Sequence, residues 1–148
     1  MSTAQDMRNV VTGTGALDER IDLVLQTGDA EWMVRYGDVE VDIEFDADSD
    51  RVMISADLGV PPADRRADIY ELLMAYALLW RETGGLRAGF SPTDRALSLM
   101  GDFGAEGLTP HMLASVIANF SGTVAIWRQA VAAHTEKVDP NEQGFLRV

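Results

Sequence analysis

The chain has 148 residues, nearly half of them apolar, a formal net charge of −12 and no cysteine. That length suits one domain with a full hydrophobic core, and the apolar fraction excludes a chain disordered by composition. Missing thiols exclude disulfides, thiolate metal sites and cysteine nucleophiles, and the acidity argues against nucleic acid or an anionic membrane as partner.

Met1 to Val11 carries Asp6 and Arg8 and lacks an apolar core of signal-peptide length. No apolar run approaches the roughly 20 residues that cross a bilayer, so a cytoplasmic protein without membrane insertion is expected. Leu17, Ile21, Val24 and Leu25 keep helical spacing, which predicts a helix over Leu17–Leu25 with Gly28 as its C-cap. Gly13 and Gly15 should break or fray any helix that starts nearer the N-terminus.

The period then changes to two. Trp32, Val34 and Tyr36 alternate with Met33 and Arg35, and Gly37-Asp38 offers a tight turn. Val39, Val41, Ile43 and Phe45 alternate with Asp38, Glu40, Asp42, Glu44 and Asp46, so this strand should bury an apolar row and show water a row of carboxylates. Asp48-Ser49-Asp50 is a turn cluster. Arg51 to Leu58 gives a third strand, with Val52, Ile54 and Ala56 on one face, completing an antiparallel meander.

Pro61-Pro62 ends the sheet, and Ala63 to Glu82 reads as one helix of about 20 residues stopped by Gly84-Gly85. A hairpin follows, from Leu86 to Phe90 and from Arg95 to Met100, with Asp102 to Gly107 as loop. Thr109 is a good N-cap with Pro110 at the first helical position. The last helix runs to about Ala133 on a stripe of Leu113, Val116, Ile117, Phe120, Val124, Trp127 and Val131. The order is α-β-β-β-α-β-β-α, an α+β fold in one domain over 1–133 with a polar, mobile tail over 134–148.

A search for chemistry finds no catalytic set. Asp46-Ala47-Asp48-Ser49-Asp50 imitates a calcium loop, but Arg51 stands where that loop needs glycine, so a hairpin turn is the better reading. Asp102-Phe103-Gly104 spells a kinase triplet without its companions. Glu40, Asp42 and Glu44 would lie about 6.5–7 Å apart along a strand, which suits a solvated face better than an acid–base pair. His111 and His134 fall at opposite ends of one helix and make no metal site. The one lysine, Lys137, is in the tail, so the folded body has none for a Schiff base or a P-loop. A non-enzyme without cofactor or metal is expected.

The second helix carries more information. Ile69, Leu72, Leu73, Tyr76, Leu79 and Trp80 form one stripe, and Tyr70, Met74, Ala77 and Leu78 add apolar surface around the cylinder. A helix apolar nearly all round needs cover on both sides. Either a second copy of the chain or its own last helix supplies that cover.

Glu82-Thr83-Gly84-Gly85-Leu86, placed after an aliphatic helix and before a hairpin, resembles the class I chaperones of bacterial type III secretion, the Tir chaperone family. Three further features support the resemblance: the strand block Asp48 to Ala56, the hairpin Ala88-Gly89-Phe90-Ser91-Pro92, and the close Ile126-Trp127-Arg128. It covers roughly Leu17 to Val131. The resemblance implies a cytoplasmic homodimer that binds the N-terminal segment of a secreted effector and keeps it non-globular and export-competent without ATP. It implies a dimer contact through Leu73, Ala77, Leu78, Trp80, Leu86 and Ala88. It implies effector binding over Leu17, Ile21, Val24, Leu25, Trp32, Val34 and Tyr36. The glycines near the N-terminus depart from the family, which usually has one clean helix there. A regulatory or adaptor protein of the same fold, of the YbjN type and without a secretion client, is the rival.

Overall fold

The computed structural model describes residues 1–133; the expected tail over 134–148, with His134 and Lys137, lies outside the described residues. The elements are α1 (Ala4–Gly13), β1 (Ile21–Gly28), β2 (Glu31–Tyr36), β3 (Val39–Asp46), β4 (Arg51–Gly59), α2 (Arg66–Ala77), β5 (Arg87–Phe90), β6 (Leu97–Gly104) and α3 (Pro110–Ala132), with 3₁₀ turns at Thr14–Ala16 and Ala63–Arg65. The six strands form one antiparallel sheet in the order β1-β2-β3-β4-β6-β5. The α+β class and the meander agree with the sequence.

The alternation on β3 is strict. Val39, Val41, Ile43 and Phe45 are buried, and Glu40, Asp42, Glu44 and Asp46 are exposed. Val34, Ile54 and Leu99 join the covered side of the sheet, where α3 supplies Leu113, Ile117, Phe120 and Val124. Each such side chain taken from water contributes about 1.5–3 kcal/mol. The helix α1 packs on α3 through Met7 and Val11, and Ile69 and Leu73 of α2 complete the same core. All three helices therefore cover one face, and the opposite face of the sheet has no covering element among the described residues.

Helix ends follow their residues. Thr3 and Asp6 form a reciprocal capping box on α1. The Thr109 hydroxyl accepts from the Met112 N–H at 3.2 Å ahead of Pro110. On α3, Arg128 donates to the carbonyls of Asp57 at 2.7 Å and Asp38 at 3.3 Å, tying the helix to two strand ends.

Three expectations are corrected. The helix over Leu17–Leu25 is instead β1, which adds a fourth strand to the meander and moves the first helix to Ala4–Gly13. Apolar residues at 21, 23, 24 and 25 satisfy either period, and pairing decides: Val24 lies opposite Val34 and Leu25 opposite Met33. The second helix stops at Ala77. Beyond it the backbone bonds tighten, Leu78 N–H to Ala75 and Leu79 N–H to Tyr76, and the chain then opens into a turn closed by Gly85 N–H on Trp80 O at 2.8 Å. Gly84 and Gly85, at φ of +70° and +86°, allow this reversal toward β5. Finally, β6 runs on through Asp102-Phe103 to Gly104, because β4 continues to pair with it as far as Arg51.

Gly101 sets the fit at this corner. A Cβ there would lie 2.8 Å from Leu86 Cδ2, so Leu86 rests on bare backbone. Gly101→Val is expected to cost about 1–3 kcal/mol by overpacking, read as a lowered midpoint in a denaturant melt. An unchanged midpoint would show that Leu86 can move aside freely.

Candidate functional site

Two exposed apolar regions stand out. The first joins α2 to the edge strand β5. Leu78 is 81% exposed and Met74 75%, with Leu72, Leu79, Trp80 and Phe90 each about half exposed. Tyr70, Leu73, Met74 and Ala77 face Ala88 and Phe90 across a hollow of about 240 Å³. The Tyr70 and Phe90 rings meet edge-on at 5.8 Å between centroids. On the other flank Tyr76 meets Trp127 of α3 edge-on at 5.1 Å, so α3 shields only that side of α2. An exposed apolar set of this kind is the surface character that interaction sites present.

The sequence-derived contact residues divide on this surface. Ala77, Leu78 and Trp80 are exposed, and Leu86 and Ala88 are half-buried at its edge. Leu73 is 4% exposed in the single chain: it packs in the core beside Ile69 and reaches this surface only at the floor of the hollow. Met74 and Phe90 extend the band and were not singled out. Met74 was visible in the sequence as part of the all-round apolar helix, whereas Phe90 gains its place only from the tertiary pairing of Tyr70 with β5.

The second region lies at the opposite end of the sheet. Here β1 is an edge strand, with one side unpaired among the described residues. Leu17 and Leu25 are exposed, and Val24 and Tyr36 are half-buried. Ile21, Trp32 and Val34, expected on the same surface, are buried in the core of the single chain, Trp32 at 1% exposure, because their strand positions point toward the helices. Arg20 donates to the Tyr36 hydroxyl at 3.2 Å and stands over its ring.

Electrostatics separate the regions. On the uncovered sheet face Arg35 pairs with Asp22 at 2.8 Å, and Asp102 takes Arg51 at 2.7 Å and Arg87 at 2.9 Å. Hydrogen bonds from Arg87 and then Arg51 hold the Asp102 carboxyl below its ordinary value. Burial pushes the Asp42 carboxyl above its ordinary value, and Glu40 and Glu31 push the same way. A raised carboxyl means that the folded state resists the charge, so its cost builds as pH rises above the unfolded pKa, is complete above the folded one and is absent below both. Asp42→Asn is therefore expected to raise the melting temperature at pH 7 and to leave it unchanged near pH 3. A thermal melt at both values tests this; a fall at pH 7 would show that the carboxylate is supported by its surroundings.

No group of three histidine, cysteine, aspartate or glutamate side chains is placed to hold a metal ion among the described residues, and no described helix is long and apolar enough to cross a membrane.

Comparison with known proteins follows this geometry. The Tir chaperone protein (CesT) family matches residues 23–128, from β1 into the last third of α3. Among solved structures, the crystal structure of the ExsC–ExsE complex contains a chain with TM-score 0.66 and 17% identity, covering 91% of this chain and all of that one. A chain of the HopA1–SchA chaperone–effector complex gives TM-score 0.62 and 14% identity over 83% of this chain and 92% of its own. An uncharacterised protein from Methanothermobacter thermautotrophicus gives 0.51 and 18%, over 86% and 98%. At these identities the structures speak to fold. No curated protein sequence matches significantly.

Proposed function

The chain belongs to the Tir chaperone protein (CesT) family, and from that premise we propose that it is a class I type III secretion chaperone acting on the N-terminal segment of an effector. The observation that carries the reading is the pair of apolar regions left uncovered by the described residues, one at each end of a single sheet, on a chain of that family. Membership in a chaperone family agrees with the expectation of a non-enzyme.

The two regions divide the work. A second copy covers Ala77, Leu78, Trp80, Leu86 and Ala88, together with Met74 and Phe90, and this joins two sheets into one longer scaffold. Specific dimers bury on the order of 1,600 Å² or more in total. The effector segment lies over the far end, on Leu17, Val24, Leu25 and Tyr36, where the free edge of β1 offers strand pairing. Ordering a non-globular segment costs conformational entropy, which apolar contact and added backbone bonds offset. Binding energy alone performs this holding, so no ATP is needed.

The test is co-purification from the native host in the absence of nucleotide, followed by limited proteolysis of the complex. One protein should be recovered, protected over its N-terminal region, and ATP should not release it. Recovery of small molecules only, or protection confined to a folded C-terminal domain, would sink the reading. An adaptor of the same fold without a secretion client is the alternative that an empty purification would favour.

A further inference from the structure

The uncovered face of the sheet has its own pattern. Strand pairing sets Leu25, Met33, Asp42, Ser55, Met100 and Arg87 as successive neighbours across all six strands. The adjacent row is Glu31, Glu44, Met53 and Asp102. Strands lie about 4.8 Å apart, and diagonal partners such as Met53 and Met100 about 7–8 Å. Three methionines, all half-buried, therefore interleave with carboxylates on one surface. Two shallow hollows, of about 330 and 190 Å³, open there side by side and share Glu44 and Met53.

The charges on this face are unequal in a way that the net charge does not reveal. Its arginines are already engaged by Asp22 and Asp102. Asp42 and Glu44 have no ion-pair partner among the described residues, and Glu40 lies opposite Arg35, which it also favours in its charged form but which Asp22 holds by the direct bond. A row of carboxylates alone describes a solvated face, and a single methionine on a surface needs no explanation. Apolar side chains set among unpaired carboxylates and hollows fit a ligand that carries both characters.

We propose that this face docks a basic amphipathic segment of the client, its apolar side on Met33, Met53 and Met100 and its arginines or lysines over Glu40, Asp42 and Glu44. The inference rests on the chaperone reading and names the chemistry of what is held. Methionine is unbranched and polarisable, so a methionine-lined face can repack around different apolar sequences. The carboxylates supply the selection: an acidic segment would be repelled, and a basic one is captured faster. A second copy does not suit this face, because two copies stacked here would oppose two rows of carboxylates. The raised Asp42 carboxyl agrees with a site awaiting a cation.

The probe is a leucine–lysine peptide of about 18 residues designed as an amphipathic helix, with a scrambled peptide of the same composition as control. The full chain is labelled at its methionine methyl groups and followed by NMR. The signals of Met33, Met53 and Met100 should shift on binding, while Met7, buried beneath the helices, and Met74 on α2 should not. The dissociation constant should weaken at least about tenfold in the variant combining Glu40→Gln, Asp42→Asn and Glu44→Gln, and at least about tenfold between 0.1 and 0.5 M salt. The variant Met53→Lys should weaken it comparably, and a melt checks that each variant is folded. Equal binding of the scrambled peptide would reduce the effect to bulk charge and overturn the proposal. So would shifts at Met74 or Met112 in place of the three, or shifts on concentration alone, which would assign the face to a second copy. In the native host, undiminished client on the triple variant sinks this inference and leaves the chaperone reading intact. A wild-type chain that holds no client yet shows the peptide shifts would sink the chaperone reading and keep the surface.

Discussion

Leu78→Asp is expected to convert the proposed dimer to monomers without unfolding them. The side chain is 81% exposed in the single chain, so folding draws almost nothing from it, and a surface change of this kind usually moves stability by no more than about 0.5 kcal/mol. In a two-fold dimer the same patch meets itself, so each copy would contribute one carboxylate to an apolar contact. Leaving a buried charge uncompensated costs about 3–5 kcal/mol, and 1.4 kcal/mol is a factor of ten. One such cost already weakens the proposed dimer by about a hundredfold to several thousandfold. Leu78 also sits at the C-cap of α2, where a negative charge opposes the helix dipole by about 0.3–1 kcal/mol. Leu78→Lys separates the two causes, since it suits the helix end and still places charge in the contact. Both variants should scatter light as monomers at micromolar concentration with melting curves near that of the wild type. A wild-type chain that is already monomeric, or an aspartate variant that remains dimeric, would move the contact off α2.

Much of this architecture was legible because alternation on a half-covered strand is hard to imitate. Val39 to Asp46 could be read with its faces assigned, and so could Val52, Ile54 and Ala56 and the stripe of α3, because each pattern fits one period only. Ile21 to Leu25 fits both periods, and nothing local chooses between them. The choice is made by β2, whose Val34 and Met33 are the partners that a helix there would abandon. The early end of α2 was hidden for the opposite reason. Leu78, Leu79 and Trp80 are acceptable helix residues, and only the need to reach β5 turns the chain away. Among the contact residues, the burial of Leu73 was not legible, because a helix apolar all round does not say which face meets its own sheet. The methionine face was present in the sequence as the other phase of the strands, but only the register places Met33, Met53 and Met100 on one continuous surface.

The difference in burial between Trp32 and Leu25 gives the sharpest test of the proposed effector-binding end. Trp32 and Leu25 were expected to serve one role, and the structure separates them. Trp32 is 1% exposed and packs under the helices, so Trp32→Ala should cost about 3–5 kcal/mol, the range for emptying a buried aromatic site. Leu25 is half exposed beside the free edge of β1. Leu25→Asp should leave the denaturation midpoint nearly unchanged and weaken client capture at least about tenfold, because one apolar contact is lost and an unpaired charge is placed against the bound segment. The decisive comparison is stability against capture in the same two variants. If Trp32→Ala melts like the wild type but loses the client, Trp32 leaves the core to meet its partner and the burial seen here is a resting state. If Leu25→Asp captures the client as well as the wild type does, the segment binds elsewhere than the β1 edge. The expected pattern, stability lost in one variant and binding lost in the other, would place the effector on the outer edge of β1 and assign Trp32 to the core that holds that edge in position.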